Sequence, residues 1–113
     1  MVSTVADVAR FYRALLQGRL LPARLLRAMQ TTVETGTGLR YGLGLAALPL
    51  PCGGTAWGHE GGLFGYENWA LASNDGDQQV VMMVNAGDGG NDYVVLVGEH
   101  VVRALCAIRT ASS

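Results

Sequence analysis

The sequence predicts an α+β fold: an antiparallel sheet of about four strands flanked by helices. Three observations carry this. Apolar residues recur at helical spacing near both ends of the chain, and between residues 41 and 85 the pattern changes to short apolar runs. Those runs are separated by clusters of Gly, Pro and Asn-Asp-Gly, which suit hairpins rather than long crossovers. Half of the 113 residues are hydrophobic and only 15% are charged, the balance of a chain that buries a core rather than staying disordered. The length allows one small domain.

The elements follow in order. A first helix is predicted over 4–17, with Ser3 or Thr4 as its cap and Asp7 in the first turn, where a negative charge suits the helix dipole. Val5, Val8, Tyr12, Leu15 and Leu16 share its apolar stripe, and Gly18 is a natural stop. A second helix is predicted over 21–31, with Pro22 in its first turn and Leu25, Leu26 and Met29 facing inward. Residues 33–40 read as a polar loop. Strands are predicted over 41–48, 55–59, 67–73 and 79–85, with a break at Pro49, Pro51, Gly53 and Gly54. Asn74-Asp75-Gly76-Asp77 is a strong hairpin signal between the last two strands. Residues 87–90 read as a loop, and 92–108 as a closing helix with Val94, Val97, Val101, Ala104, Leu105 and Ile108 on its apolar side. The tail to Ser113 is expected to be loose.

Composition also excludes function classes. A net charge of −1 leaves no electrostatic footprint for nucleic acid. No apolar run approaches a membrane span, and the Met1-Val2-Ser3-Thr4 start lacks the basic and apolar segments of a signal peptide. There is no CxxC pair, and the only histidines, His59 and His100, are far apart, so no metal is implied. No organic cofactor is implied either. All eight basic residues are Arg; without Lys this polypeptide cannot itself supply a lysine base or Schiff base. By themselves, Cys52 and Cys106 read equally well as two separate buried thiols or as a pair.

Four segments carry a family resemblance. They are Val2-Ser3-Thr4-Val5-Ala6-Asp7-Val8-Ala9-Arg10-Phe11, Tyr41-Gly42-Leu43-Gly44, Gly58-His59-Glu60-Gly61-Gly62 followed by Gly65-Tyr66, and Val84-Asn85. In this order they resemble the C-terminal part of the penicillin-recognising serine hydrolases, the superfamily of D-alanyl-D-alanine carboxypeptidases and class C β-lactamases. The resemblance implies a β-lactamase/transpeptidase-like fold. It also implies that residues 1–113 form a single partial domain, since members carry the helix after Met1 internally. In that family the third active-site motif is Lys-Thr-Gly, Lys-Ser-Gly or His-x-Gly on a strand beside the nucleophile. The resemblance puts His59 on its first position and Gly61 on its third, where a glycine lets substrate backbone approach the strand. It puts the backbone N–H of Gly62 on an oxyanion-hole position. His59 and Gly62 are thus the catalytic candidates, and Glu60, Gly61 and Gly62 the substrate-binding ones. His100 has no such context and reads as a packing or surface residue. Some extracytoplasmic members tie the approach to this strand to the C-terminal helix, so the resemblance favours a Cys52–Cys106 disulfide and an oxidising, secreted or periplasmic setting.

The departures matter as much. The Ser-x-x-Lys nucleophile motif is absent. Tyr66-Glu67-Asn68 matches the family's Tyr-x-Asn as text, but it follows the His-x-Gly segment instead of preceding it, and is read as a coincidence. The family usually has Thr or Ser where this chain has Glu60. A glutamate facing the groove would repel a substrate carboxylate by about 4 kcal/mol at contact distance; one on the other strand face would not. The implied substrates of an intact enzyme are a peptidoglycan-type D-Ala peptide, a β-lactam or a small ester. The chain alone is expected to be inert, and to self-associate through a sheet edge that the family's first strands would cover. The alternatives are a non-catalytic binding or self-association module, or a truncated inactive gene product.

Overall fold

A computed structural model describes residues 2–85 and 91–112, with no side-chain detail for 91–93 and 112. The predicted loop at 87–90 lies outside the described residues. Nine elements follow one another: α1 (Val5–Leu16), α2 (Ala23–Met29), β1 (Val33–Glu34), β2 (Arg40–Tyr41), β3 (Ala46–Pro49), β4 (Thr55–Leu63), β5 (Tyr66–Ala72), β6 (Gln79–Val84) and α3 (Asn91–Ser112). The strands form one six-stranded sheet in the order β1-β2-β3-β4-β5-β6, every neighbour antiparallel. The α+β class holds. Among the described residues no helix is long and apolar enough to cross a membrane.

The sheet has two strands more than expected, and the reason is local. The run at 41–48 does not stay extended. Gly44 takes φ +75°, and Gly42 sits where a Cβ would lie 1.9 Å from the Met29 carbonyl oxygen. The chain therefore bends between β2 and β3, and Gly42 N–H donates to Leu45 O at 2.8 Å. The polar loop 33–40 folds back on itself as the β1–β2 pair, with Val33 opposite Tyr41. Pro49 fits in β3 because its partner pairing with Thr55 falls between the hydrogen-bonded pairs, so no ladder donor is lost.

β4 runs four residues past the expected end at residue 59, to Leu63, and turns at Phe64-Gly65, with Gly65 at φ +82°. At the far end of the sheet, Asn74-Asp75-Gly76-Asp77 forms the expected β5–β6 hairpin. Gly76 takes φ +72°, and Ser73 N–H donates to Gln78 O at 2.8 Å.

Each face of the sheet carries its own core. Leu15 and Leu16 of α1 pack with Leu45, Ala47, Trp57 and Ala72, joined by Leu26 and Met29 around α2. On the other face Val97, Val101 and Leu105 of α3 pack with Leu50, Ala56, Trp69 and Leu71. Thr4 caps α1, its hydroxyl accepting from Asp7 N–H at 3.1 Å.

The tail expected to be loose is instead helical to Ser112. A Cys52–Cys106 disulfide anchors it, with Cα atoms 5.8 Å apart, and Arg109 donates to the Gly53 carbonyl.

Candidate active site

β4 has a strand on both sides only at Trp57 and Gly58. β3 pairs with it from Thr55 to Gly58, whereas β5 pairs with it from Trp57 to Leu63. Among the described residues, the outer edge of His59–Leu63 has no strand partner. Its polarity follows from the hairpin. Leu63 and Tyr66 flank a two-residue turn and exchange both of their hydrogen bonds, so Gly61 with Asn68 and His59 with Ala70 do likewise. The main-chain N–H and C=O groups of Glu60 and Gly62 therefore point away from β5, toward the open edge. The strand presents a short row of backbone donors and acceptors there, the arrangement to which an extended ligand adds as a further strand.

Side chains alternate across this segment. His59, Gly61 and Leu63 share one face with Asn68; Glu60 and Gly62 share the α3 face with Trp69 and Glu67. His59 is half-buried, and its ring is held at both nitrogens. Nδ1 lies against the Glu60 carbonyl oxygen, and Nε2 is 2.8 Å from the Tyr41 hydroxyl. A carbonyl oxygen only accepts, so Nδ1 carries a proton; in the neutral ring Nε2 then accepts from Tyr41 O–H. The two rings meet edge to face, with centroids 5.5 Å apart. Beside them, a Cβ on Gly61 would lie 3.1 Å from both terminal atoms of the Asn68 amide. Space over the motif strand is thus kept open by glycine on the His59 face.

The α3 face holds a different chemistry. Glu67 is only 4% exposed, and its Oε1 has no hydrogen-bond partner among the described residues. Its Oε2 lies 2.6 Å from where a Cβ on Gly62 would stand, so the carboxyl rests directly against that glycine. Burial raises the Glu67 pKa above the ordinary carboxylate range, and the charge of Glu60 raises it further.

The expected residues therefore divide. His59 and Gly61 stand together on one face with Tyr41, while Glu60 lies on the other with Glu67, and Gly62 lies between them at the open edge. Cys52 and Cys106 are joined at the opposite end of β4, and His100 is exposed on α3. Tyr66 begins β5 and is 66% exposed; Glu67 and Asn68 follow on opposite faces. Two participants escaped the sequence reading. Tyr41 belongs to a segment that carries the family resemblance but has no site role in the sequence, and nothing in its spacing from His59 signals their contact. Glu67 was legible in principle, since counting back across Phe64-Gly65 puts it opposite Gly62.

The chain is similar to two solved amidohydrolases in sequence and fold. A D-stereospecific amidohydrolase from Streptomyces sp. is 42% identical, with a TM-score of 0.67 over 80% of this chain and 28% of that one. A D-amino acid amidase from Ochrobactrum anthropi, solved with L-phenylalanine, is 26% identical, with a TM-score of 0.82 over 98% of this chain and 33% of that one. The chain thus spans about a third of the length of either neighbour. Residues 1–98, which include α1, the Tyr41 segment and the whole of the half-open strand, match the Beta-lactamase family profile, and the chain belongs to that family.

Proposed function

We propose that this chain forms one wall of a serine acyl-transfer site that hydrolyses small amides or esters, with D-aminoacyl compounds as the leading substrate class. The observation that carries the reading is the half-open strand. Beyond Gly58 the outer edge of β4 offers the Gly62 N–H to an incoming acyl group, with His59 fixed beside it by Tyr41. In the proposed site Gly62 N–H donates to the oxyanion that develops as the carbonyl is attacked; one such donor contributes about 3–4 kcal/mol to the transition state. The His59 imidazole polarises the same region and Gly61 admits substrate backbone. The amide substrates named in both neighbours support an amidohydrolase over a β-lactamase. A peptidoglycan D-Ala peptide fits the same site less well, because its free carboxylate would approach an edge flanked by Glu60 and Glu67.

The nucleophile is proposed to come from polypeptide outside these residues, since a Ser-x-x-Lys motif needs a lysine and the sequence has none. The same lack favours the second reading, a non-catalytic or self-associating module. The disulfide supports an extracytoplasmic setting.

The two readings separate in one experiment. Residues 2–85 replace the matching segment of the Streptomyces amidohydrolase, and hydrolysis of p-nitrophenyl acetate is followed. The acyl-transfer reading expects an active chimera that loses about a hundredfold or more in kcat/KM on His59→Ala. The chain alone is expected to release no p-nitrophenol above its own His59→Ala control. A folded chimera indifferent to His59→Ala would overturn the reading.

A further inference from the structure

Glu67 poses a physical problem that the acyl-transfer reading leaves unused. A carboxyl group that is 4% exposed with an unpartnered oxygen is costly in a small domain. It is not sealed in the core: it lines a cleft of about 290 Å³ with Glu60, Gly62, Leu63, Phe64 and Val94. Among the described residues this cleft has two carboxylates and no basic side chain. Its floor is Gly62, and a Cβ at that position would meet Glu67 Oε2 at 2.6 Å. Glu67 and the proposed oxyanion donor therefore belong to one strand pairing, Gly62 opposite Glu67, and Glu60 stands two residues before Gly62 on the same face.

We propose that Glu67 and Glu60 form a subsite for a primary ammonium group, and that the ligand is the free α-ammonium of an aminoacyl amide or ester whose carbonyl lies at Gly62. The proposal rests on the acyl-transfer reading for the position of the carbonyl. The ammonium suits the geometry because it carries several donors on one small centre. Its donors meet the Glu67 carboxyl and Glu60 where the two line the cleft, and water beyond. In an α-aminoacyl group the nitrogen is two bonds from the carbonyl carbon, so a carbonyl held at Gly62 N–H brings the ammonium to the neighbouring carboxyl. A free carboxylate in the same place would meet two like charges. Apolar Leu63 and Phe64, 71% and 83% exposed, stand at the same rim, where an acyl side chain would emerge.

The test uses the chain itself, labelled so that the Glu67 carboxyl carbon and the Gly62 amide are followed by NMR. The ligand is D-phenylalaninamide, and its control is 3-phenylpropanamide, which lacks only the amino group. Saturable shifts at Glu67 and Gly62 are expected with the amine, and binding about tenfold or more weaker with the desamino control. Glu67→Gln is expected to remove the difference between the two ligands. Glu60→Gln, at a half-buried position, is expected to narrow it, and serves where Glu67→Gln fails to fold. Equal binding of both ligands, shifts confined to other residues, or a Glu67 response to Ca²⁺ with none to the amine would each overturn the proposal. Hydrolysis of p-nitrophenyl acetate by the chimera involves no ammonium, so failure of the subsite and failure of the acyl-transfer reading give different results.

Discussion

The carboxyl of Glu67 gives the molecule a pH dependence whose sign is fixed by where the proton is held. Its pKa is raised in the folded chain above the ordinary 4.5, through burial first and Glu60 second. From 4.5 upward the unfolded chain loses this proton before the folded one, so stability falls as pH rises, and levels off above the raised value. Glu67→Gln removes that slope. The variant is expected to be more stable than the parent at neutral pH and to converge with it near pH 4, as read by urea unfolding at a series of pH values. A parent curve that rises with pH relative to the variant would contradict this. Asp75 acts in the opposite sense. Its pKa is lowered from 3.8 chiefly by the Asp77 N–H and then by the Ser73 hydroxyl, so its contribution is present above 3.8 and lost as pH falls below it. Measurements above pH 4.5 therefore leave the Asp75 contribution unchanged. At this scale the sequence showed His59, Gly61 and Gly62 because glycine and histidine in a fixed order make a pattern. Glu67 had no pattern, because its effect comes from losing water and not from spacing.

Helix α3 illustrates what periodicity reads and what it misses. The stripe Val97, Val101 and Leu105 was visible as a helical repeat and is buried as expected. The helix end was not, because it depends on Cys106, Arg109 and Thr110 bonding to atoms distant in sequence or within the last turn. Gly98 lies within α3, where glycine costs about 1 kcal/mol relative to Ala by helix propensity alone. Packing acts in the opposite direction. The Trp69 ring lies over α3 so closely that a Cβ at residue 98 would stand 2.8 Å from its Cζ2. Trp69 is 8% exposed and packs in the core under α3. Gly98→Ala is therefore expected to destabilise by about 1–3 kcal/mol through overpacking, despite its better helix propensity. Chemical denaturation measures this directly, and pairing Gly98→Ala with Trp69→Phe should recover part of the loss. A stabilising Gly98→Ala would show that the helix stands further from the sheet. The strand elements show the same division: β4, β5 and β6 were legible from their apolar runs, while β1 and β2 are too short for any periodicity to register.

Across the whole molecule, order is imposed by one covalent tie, and among the described residues backbone is left unpaired along the outer half of β4 and at both ends of the sheet. The disulfide joins residues 54 apart and closes the approach to β4 onto α3; in the loop-entropy account this stabilises by about 4 kcal/mol. It braces the end of the sheet opposite the half-open strand, so the candidate site is not itself cross-linked. The strand order ends in β6, which pairs only with β5 among the described residues. Its sequence Gln-Val-Val-Met-Met-Val contains no charge and no proline, the features that usually keep an edge from pairing with another chain. Val80, Met82 and Val84 pack toward α3, while Met83 is 45% exposed. The isolated chain is therefore expected to associate through β6, with an average mass by light scattering that rises with concentration. Met83→Lys puts a charge on the exposed side of that edge without touching the α3 core, and is expected to shift the chain toward monomer at unchanged unfolding midpoint. Met83→Leu, which keeps the edge apolar, should associate as the parent does. A parent chain that stays monomeric at high micromolar concentration would mean that the edge is protected, and association that persists in Met83→Lys would move the contact elsewhere. The first strand is the natural comparison: β1 also lies at an edge, but it holds only Val33 and Glu34, and Arg40 across from it pairs with Glu34 at 3.0 Å, so charge and shortness together guard that side. Association through β6 and not β1 is thus the outcome that the distribution of charge across the sheet requires.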